Sequence, residues 1–574
     1  MEKIAGFVVI LFMLACNVST AQKADREFVR EYLLPERIVL VSDSSSFRNS
    51  RYLLSPSPNQ ISFENRNYVT ITGKKKPSCI ILDYGKEIQG GLLLSCASTG
   101  SGRPERLRVV FGESVGETMS EPYDSADGGS TNDHAIRDDV HLIPNMGTTE
   151  FGNTGFRFVR ISAPDSGAVL RIQNIKAVAV YRDLPYRGYF RSNDKRIDSI
   201  WMTGAYTVQL NMQDYLIEGI KRDRLVWIGD IFPEIKTMHA VFGNHSIAAR
   251  SLDLIKNETP VGQWMNGIPS YSLWWIVSQL EVFMQKGDTT YLRTQLPYLA
   301  GLTAELRKYI SADGREKLPG WRFLDWPSSQ DTTAIHAGLQ ALLVIAMEAS
   351  RDLARAAGDK QLEKLAAESI VLLKKHKPQP GKVKQAAALM AIGGLYPAAD
   401  INRDVLAMDP FTGVSSFYGY FVLQARAKAG DYKGGLELVR KYWGGMLDLG
   451  ATTFWEDFDL AWMKNAARID EVTPAGKTDV HKTYGDYSYK AYRHSLCHGW
   501  ASGPTAWLSE HVLGVTVLDA GCRTVKVEPH LGDLQWIEGG YPTPFGVVEI
   551  KVKKLPNGSL DTRVKAPKGV KVIM

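Results

Sequence analysis

Between residues 26 and about 185 the apolar positions come in short runs, among them "YVTITG", "CIILDYG", "GGLLLSC", "RLRVVFGE", "FRFVRIS" and "IKAVAVY". Each run is closed by Gly, Ser, Pro or Asp, and longer breaks occur at "STGSGRP" and "EPYDSADGGSTND". Short β-branched and aromatic runs between such turn-formers predict strands, and this many in succession predicts a β-sandwich. Near Tyr186 the pattern changes. "NDKRIDSIWMTGAYTVQLNMQDY" opens on an Asn/Asp cap and continues at helical spacing. Helical text then runs to about residue 513, clearest where Leu339, Leu342, Leu343, Ala346 and Leu353 recur at i, i+3 and i+4. Roughly ten to twelve helices in short-loop order, without a repeat of fixed length, predict a closed ring of helical hairpins rather than a solenoid. "CRTVKVEPH", "FGVVEIKVKK" and "DTRVKAP" return to β-alternation. The divisions read from these changes are a β-sandwich over 22–185, a helical domain over 186–513 and a small all-β domain over 514–574.

A chain of 574 residues, 44% apolar and 23% charged, is ordinary multidomain folded protein, and its net charge of +6 forms no basic block that would point to nucleic acid. The start, "MEKIAGFVVILFMLACNVSTAQK", has Lys3, an apolar stretch from Ile4 to Ala15 and small residues to Ala21, which predicts a signal peptide over 1–21 and export. Cys16 is a candidate lipid-attachment site, placing the protein in the periplasm or at the cell surface; otherwise it is secreted. No later segment offers ~20 unbroken apolar residues, so no transmembrane segment is expected. Cys79, Cys96, Cys497 and Cys522 lack metal-ligand spacing, and a Cys79–Cys96 bridge is less expected than two free thiols. Neither a metal nor another cofactor is expected, although "DSADGGSTND" is rich in oxygen ligands that would suit calcium.

Four stretches depart from both patterns: 218–230 ("EGIKRDRLVWIGD"), 319–331 ("PGWRFLDWPSSQD"), 450–459 ("GATTFWEDFD") and 493–504 ("RHSLCHGWASGP"). In the first, Glu218, Lys221, Arg222, Asp223, Arg224 and Asp230 are interleaved with residues that favour burial, which implies tight ion pairing or a concave polar site. Trp227, Trp326, Trp455 and Trp500 each lie beside an acid or histidine. Flat rings next to charged groups suit a sugar, whose C–H face stacks while its hydroxyls are held; core packing is the competing reading for each. Glycosidic cleavage needs two carboxyls, and Asp223 and Glu456 supply a pair. Arg222 and Arg224 favour the ionised form of Asp223, so its use as an acid requires those guanidiniums to be engaged elsewhere. His498 is suited to holding a hydroxyl or orienting a carboxylate.

On those residues the chain resembles the α-L-rhamnosidases of glycoside hydrolase family 78. Members carry an acidic residue, Cys-Pro-Gln-Arg, a catalytic carboxylate and then Arg-Leu-Gly-Trp-Thr-Gly-Asp. Here the same run reads Glu218, Gly219-Ile220-Lys221-Arg222, Asp223, Arg224-Leu225-Val226, Trp227, Ile228-Gly229-Asp230. "GATTFWE" ending at Glu456 and "SLCH" ending at His498 match two later elements, and "DYGKEIQGG", "FGESVGE" and "EPHLGDLQWIEGGYPTPFG" resemble the flanking β-domains. The resemblance implies an (α/α)6 toroid as catalytic domain and an inverting mechanism with Asp223 as general acid and Glu456 as general base. It implies a sugar subsite lined by Glu218, Arg222, Trp227, Asp230 and His498, to which the aromatic pattern adds Trp326 and Trp455. The substrate would be an oligo- or polysaccharide bearing terminal α-L-rhamnose. Asp223 stands where the family has Glu, Glu218 where it has Asp, and Cys-Pro-Gln is lost, so another α-L-sugar is a competing substrate. Two further readings use the same residues: a polysaccharide lyase with Tyr484 or His498 as base, and a non-catalytic glycan-binding protein.

Overall fold

A computed structural model describes residues 27–122, 137–485 and 491–574. The leader, Cys16 and the "DSADGGSTND" stretch lie outside the described residues.

The first part is a nine-stranded sheet whose spine is the 20-residue strand Ile80–Thr99, paired antiparallel with Gly147–Ser162 on one side and Val169–Arg182 on the other. Glu105–Gly112 and Asp138–Ile143 extend one edge, Val69–Thr72 and Phe47–Arg48 the other. Phe28–Leu33 and Arg37–Val41 pair with strands of the spine off this path. Val69, Leu82, Leu92, Leu94, Phe156 and Ile161, all fully buried, belong to a core of their own beneath this sheet. Much of the spine reads apolar on both faces because one face also meets the helical part. Gly155 marks that meeting: its N–H donates to the Ile220 carbonyl at 3.1 Å, and a Cβ there would come within 2.6 Å of the Ile220 side chain.

The predicted cap before the first long helix is present, Asp194 accepting from the N–H groups of Arg196 and Ile197 at the start of Lys195–Asn211. Further helices run Ile231–Val241, Ser246–Glu258, Pro269–Lys286, Thr289–Lys308, Thr332–Ala357, Lys360–Leu373, Lys384–Ile392 and Gly419–Lys428. The residues whose spacing predicted Thr332–Ala357, from Leu339 to Leu353, are fully buried. That helix is long and apolar enough to cross a bilayer, with mean hydropathy 1.3, and 72% of its apolar window is enclosed by the protein.

The C-terminal strands form two sheets. Val515–Val517, Thr524–Val527 and Lys571–Ile573 make one; Trp536–Thr543, Gly546–Lys554 and Leu560–Lys565 make the other. The second sheet takes an additional strand from the entry to the helical part: Tyr189–Ser192 pairs antiparallel with Ile537–Gly540. Ile537, Val548, Ile550 and Val552 pack into the same core as the helices. Cys79, Cys96, Cys497 and Cys522 are free thiols.

Candidate active site

The charged stretch 218–230 is a buried connection between helices, held by backbone contacts on both sides. The Glu218 carbonyl accepts from the Gly499 N–H at 2.8 Å, and Gly219 bridges to His498. At its centre Asp223 and Arg224 both have left-handed backbone, with φ of 51° and 57°, and the Arg224 N–H closes the turn on the Arg222 carbonyl at 2.6 Å. Aspartate tolerates that region better than arginine, and each non-glycine residue there costs of order 1–3 kcal/mol. Glu218 offsets the strain. Its two carboxylate oxygens accept from the N–H groups of Arg224 and Leu225, each at 2.9 Å. Glu218 is therefore a support of the turn, and each of its oxygens keeps a further lone pair toward the candidate sugar subsite. Burial and the neighbouring carboxyls of Asp223 and Asp230 push its carboxyl well above the ordinary carboxylate range.

The two arginines beside Asp223 part company. Arg224 turns away to the β-sheet, donating to the Asn153 carbonyl at 2.7 Å. Arg222 stays: its Nε donates to the Arg493 carbonyl at 2.7 Å, Nη1 lies 3.1 Å from Asp223 Oδ2, and Nη2 hydrogen-bonds Glu456 Oε1. One guanidinium thus joins Asp223 to Glu456. The condition set by the sequence, that both guanidiniums be engaged elsewhere, holds for Arg224 and not for Arg222.

Glu456 is buried, and its other oxygen accepts from the Ser495 N–H at 3.0 Å. Burial raises its pKa, but the charge of Arg222, with His498 and His494, outweighs that and brings it down to about 2. It is a carboxylate at any ordinary pH. The next residue behaves oppositely. Burial, with the charges of Glu456 and Asp325, pushes Asp457 up to about 7, against the pull of its bond from the Phe458 N–H. Its Oδ2 has no partner among the described residues. Asp325, Trp326, Glu456, Asp457 and Trp500 line one crevice of about 10 Å³.

Trp500 stacks on Phe417 with ring centres 4.8 Å apart and donates to the Glu456 carbonyl at 2.8 Å. His498 is buried, its ring nitrogens make no hydrogen bond among the described residues, and Nε2 stands 3.7 Å from Asp230 Oδ2. Asp230 also accepts from the Tyr271 hydroxyl at 2.5 Å. Burial pushes its carboxyl up against the opposing pull of His498 and Tyr271. Trp227 is half-buried, edge-on to Tyr271, with its indole N–H unpaired among the described residues. Trp326 is half-buried beside Phe323 and the exposed Trp321. Trp455 is 1% exposed and packed edge-on to Phe458, so it is a core residue and offers no stacking face.

Asp223, Arg222, Glu456, Trp326, Trp500, Asp230 and His498 therefore form linked parts of one region. Sequence reasoning missed Asp457, His494 and Ser495, although each lies in a stretch it set apart. It also missed the role of Lys221, whose ammonium donates to the carbonyls of Tyr492 and His494 at 2.8 and 2.6 Å and lies 2.9 Å from Glu113 and 3.4 Å from Glu117. Glu113, in turn, accepts from the Leu496 N–H at 2.6 Å. Residues of the N-terminal part thereby fix the segment that holds Glu456. Glu113, Glu117 and His481 also converge closely enough to hold a metal ion, but the Lys221 ammonium supplies the positive charge there. Lys221→Met removes a buried cation from two carboxylates and two carbonyls, and is expected to lower unfolding free energy by about 3–5 kcal/mol. Urea denaturation checks this, and a midpoint unchanged from the parent would contradict it.

Residues 185–374 match the family model of the bacterial alpha-L-rhamnosidase 6 hairpin glycosidase domain. Among solved structures, a family 78 rhamnosidase of Bacillus sp. GL1 aligns over 92% of this chain and 55% of its own, at 21% identity and TM-score 0.73. A rhamnosidase from Klebsiella oxytoca with rhamnose bound aligns over 84% of this chain and 95% of its own, at 18% identity and TM-score 0.66. The α-L-rhamnosidase of Streptomyces avermitilis complexed with L-rhamnose aligns over 88% and 50%, at 16% identity and TM-score 0.66. The chain thus spans about half the length of the first and third and nearly all of the second. No curated protein sequence matches significantly. The resemblance read from the motifs is met by the family model, and the likeness to these structures is one of fold: a helical domain between N-terminal and C-terminal sheets.

Proposed function

We propose that the chain is an inverting glycoside hydrolase that removes terminal α-L-rhamnose from glycans, with Asp223 as general acid and Glu456 as general base. The observation that carries this is the Arg222 guanidinium, which links the Asp223 carboxyl to the Glu456 carboxyl, 234 positions from Arg222 in the chain. One guanidinium bridges the two acids through two hydrogen bonds, and an inverting pair would hold its carboxyls ~6.5–9.5 Å apart to leave room for water.

Each acid suits its role. Glu456 is held ionised, as a base must be before it takes a proton from water. The crevice beside it, about 10 Å³, is close to the ~10–15 Å³ that one water molecule needs. Asp223 stands partly open on its strained turn, with a side-chain exposure of 11%. To deliver a proton it must exchange its contact with Arg222 for one to the glycosidic oxygen, leaving Arg222 on Glu456. Asp230 and His498 are placed to hold hydroxyls, and Trp326 to receive an apolar sugar face. The (α/α)6 toroid, the flanking sandwiches, export by residues 1–21 and lipid attachment at Cys16 belong to the same reading; the family match supports its helical part.

The test is hydrolysis of chromogenic α-L-rhamnoside, α-L-fucoside and β-D-glucuronide substrates, with proton NMR of the first sugar released. Release of β-L-rhamnose ahead of mutarotation is expected. Initial α-L-rhamnose would reject inversion, preference for the fucoside would move the substrate, and an unsaturated uronate formed from pectin fragments assayed alongside would indicate the lyase. Binding without turnover would leave a glycan-binding protein.

A further inference from the structure

Behind the proposed hydrolytic centre lies a cavity of about 660 Å³ that no part of that chemistry uses. The helix Ile231–Val241 links the two: it begins next to Asp230, and Lys236, six residues on, lies roughly 9 Å further along its axis. Phe232, Trp274 and Phe421 stand between as a layer of nearly parallel rings, Trp274 and Phe421 with centres 4.6 Å apart. All three line the cavity, and strand Val515–Val517 forms part of its outer wall.

The ions inside it are already satisfied by one another. Lys236 Nζ lies 2.9 Å from Glu281 and 2.6 Å from Glu510. Glu281 also pairs with His239, and Glu510 accepts from Tyr420 and Gln424. Burial opposes the charge on Lys236, but the two carboxylates more than restore it. Neither carboxylate nor the ammonium is left to recruit an ionic ligand. Two further charged residues line the space, Lys428, whose ammonium donates to the Ile392 carbonyl at 2.8 Å, and Glu528, which pairs with Lys526. Several of the remaining polar groups are neutral. The Tyr541 hydroxyl accepts from Gln285 at 2.7 Å and keeps its own proton, while the Tyr432 hydroxyl and the His530 ring have no hydrogen-bond partner among the described residues. Tyr432 and His530 stack with centres 3.8 Å apart and 7° between planes. Burial holds the His511 and His530 rings below the ordinary histidine range, so both are uncharged at neutral pH.

Aromatic faces beside uncharged donors and acceptors, in a space within the ~300–1,000 Å³ typical of ligand pockets, suit a compact molecule with hydroxyls around an apolar face. We propose that this cavity is a second carbohydrate site, separate from the hydrolytic centre, that binds a neutral mono- or disaccharide.

The experiment uses the full chain, titrated calorimetrically with L-rhamnose and separately with D-galactose, and crystals soaked in each. Sugar is expected in the cavity, in contact with Tyr432 and Tyr541. Tyr432→Ala should weaken that binding about tenfold or more, by loss of the ring face and hydroxyl. Thr516→Trp, at an exposed rim position, should abolish it by filling the mouth and keeps the test open if the first variant folds poorly. Both variants should leave hydrolysis of an aryl α-L-rhamnoside within about twofold of the parent, the outer wall being away from Asp223 and Glu456. Sugar found only between Asp223 and Glu456, or cavity binding unmoved by both variants, would overturn the proposal. A chain that hydrolyses no substrate still reports on the cavity by titration, so that failure is separate.

Discussion

Glu456→Gln is expected to lower kcat roughly 10²–10⁴-fold with little change in KM, the range that positioned acid–base groups contribute. The amide has nearly the same shape and its oxygen can still accept from the Ser495 N–H, while its NH2 loses the bond from Arg222, which keeps its Arg493 and Asp223 contacts. It cannot remove a proton from water. The pH dependence separates this from a packing defect. Glu456 has its pKa lowered from 4.5 to about 2 on folding, so it contributes stability that is full above the unfolded value and is lost as pH falls through the folded one. The parent should therefore lose stability between about pH 5 and pH 2, and the glutamine variant should lose less over that window in thermal scans. The base itself gives activity no acid limb near neutrality. Asp457, pushed up to about 7, would set an alkaline limb if its protonated form donates to the sugar. Hydrolysis retained in Glu456→Gln would remove the base from the mechanism.

The effect of Asp223→Asn should depend on the leaving group. A rhamnoside with an alkyl or sugar aglycone departs as a basic alkoxide and needs the proton, so a loss of roughly 10²–10⁴-fold is expected there. A dinitrophenyl rhamnoside leaves as a weak base, and most of its rate should survive. Asparagine also suits the left-handed backbone at position 223, where φ is 51°, so the turn should persist. Steady-state rates on the two aglycones are the measurement. An equal loss on both would mean that Asp223 acts by holding Arg222, its partner at 3.1 Å, rather than by donating a proton.

The parts of this chain that could be read before folding are those governed by local pattern. "CIILDYG" and "GGLLLSC" became one long strand, and the leucine spacing after residue 332 became the helix Thr332–Ala357. The charged stretch was recognisable as abnormal because its ions were interleaved with Ile220, Val226 and Ile228, all of which are buried. What each ion does was not recognisable, since their partners are distant: Glu113 for Lys221, Glu456 for Arg222, Asn153 for Arg224. No glycine or asparagine announces the turn at Asp223 and Arg224, so the backbone's use of Glu218 had no local sign. Trp326 and Trp455 both sit beside acids in the sequence, and only packing separates the half-buried ring from the fully enclosed one. Pairing Asp223 with Glu456 came from the need for two carboxyls beside aromatic residues and from resemblance to a family, not from periodicity.

Strand Tyr189–Ser192 precedes the first long helix, yet its hydrogen-bonding partner lies in the last part of the chain. Trimming residues 514–574 to obtain a minimal enzyme would leave that strand's backbone unsatisfied and strip cover from apolar residues now packed against Ile537 and Val548. A shortened product of that kind should be recovered as insoluble material. The indivisible unit for expression runs from before the first helix to the end of the final sheet.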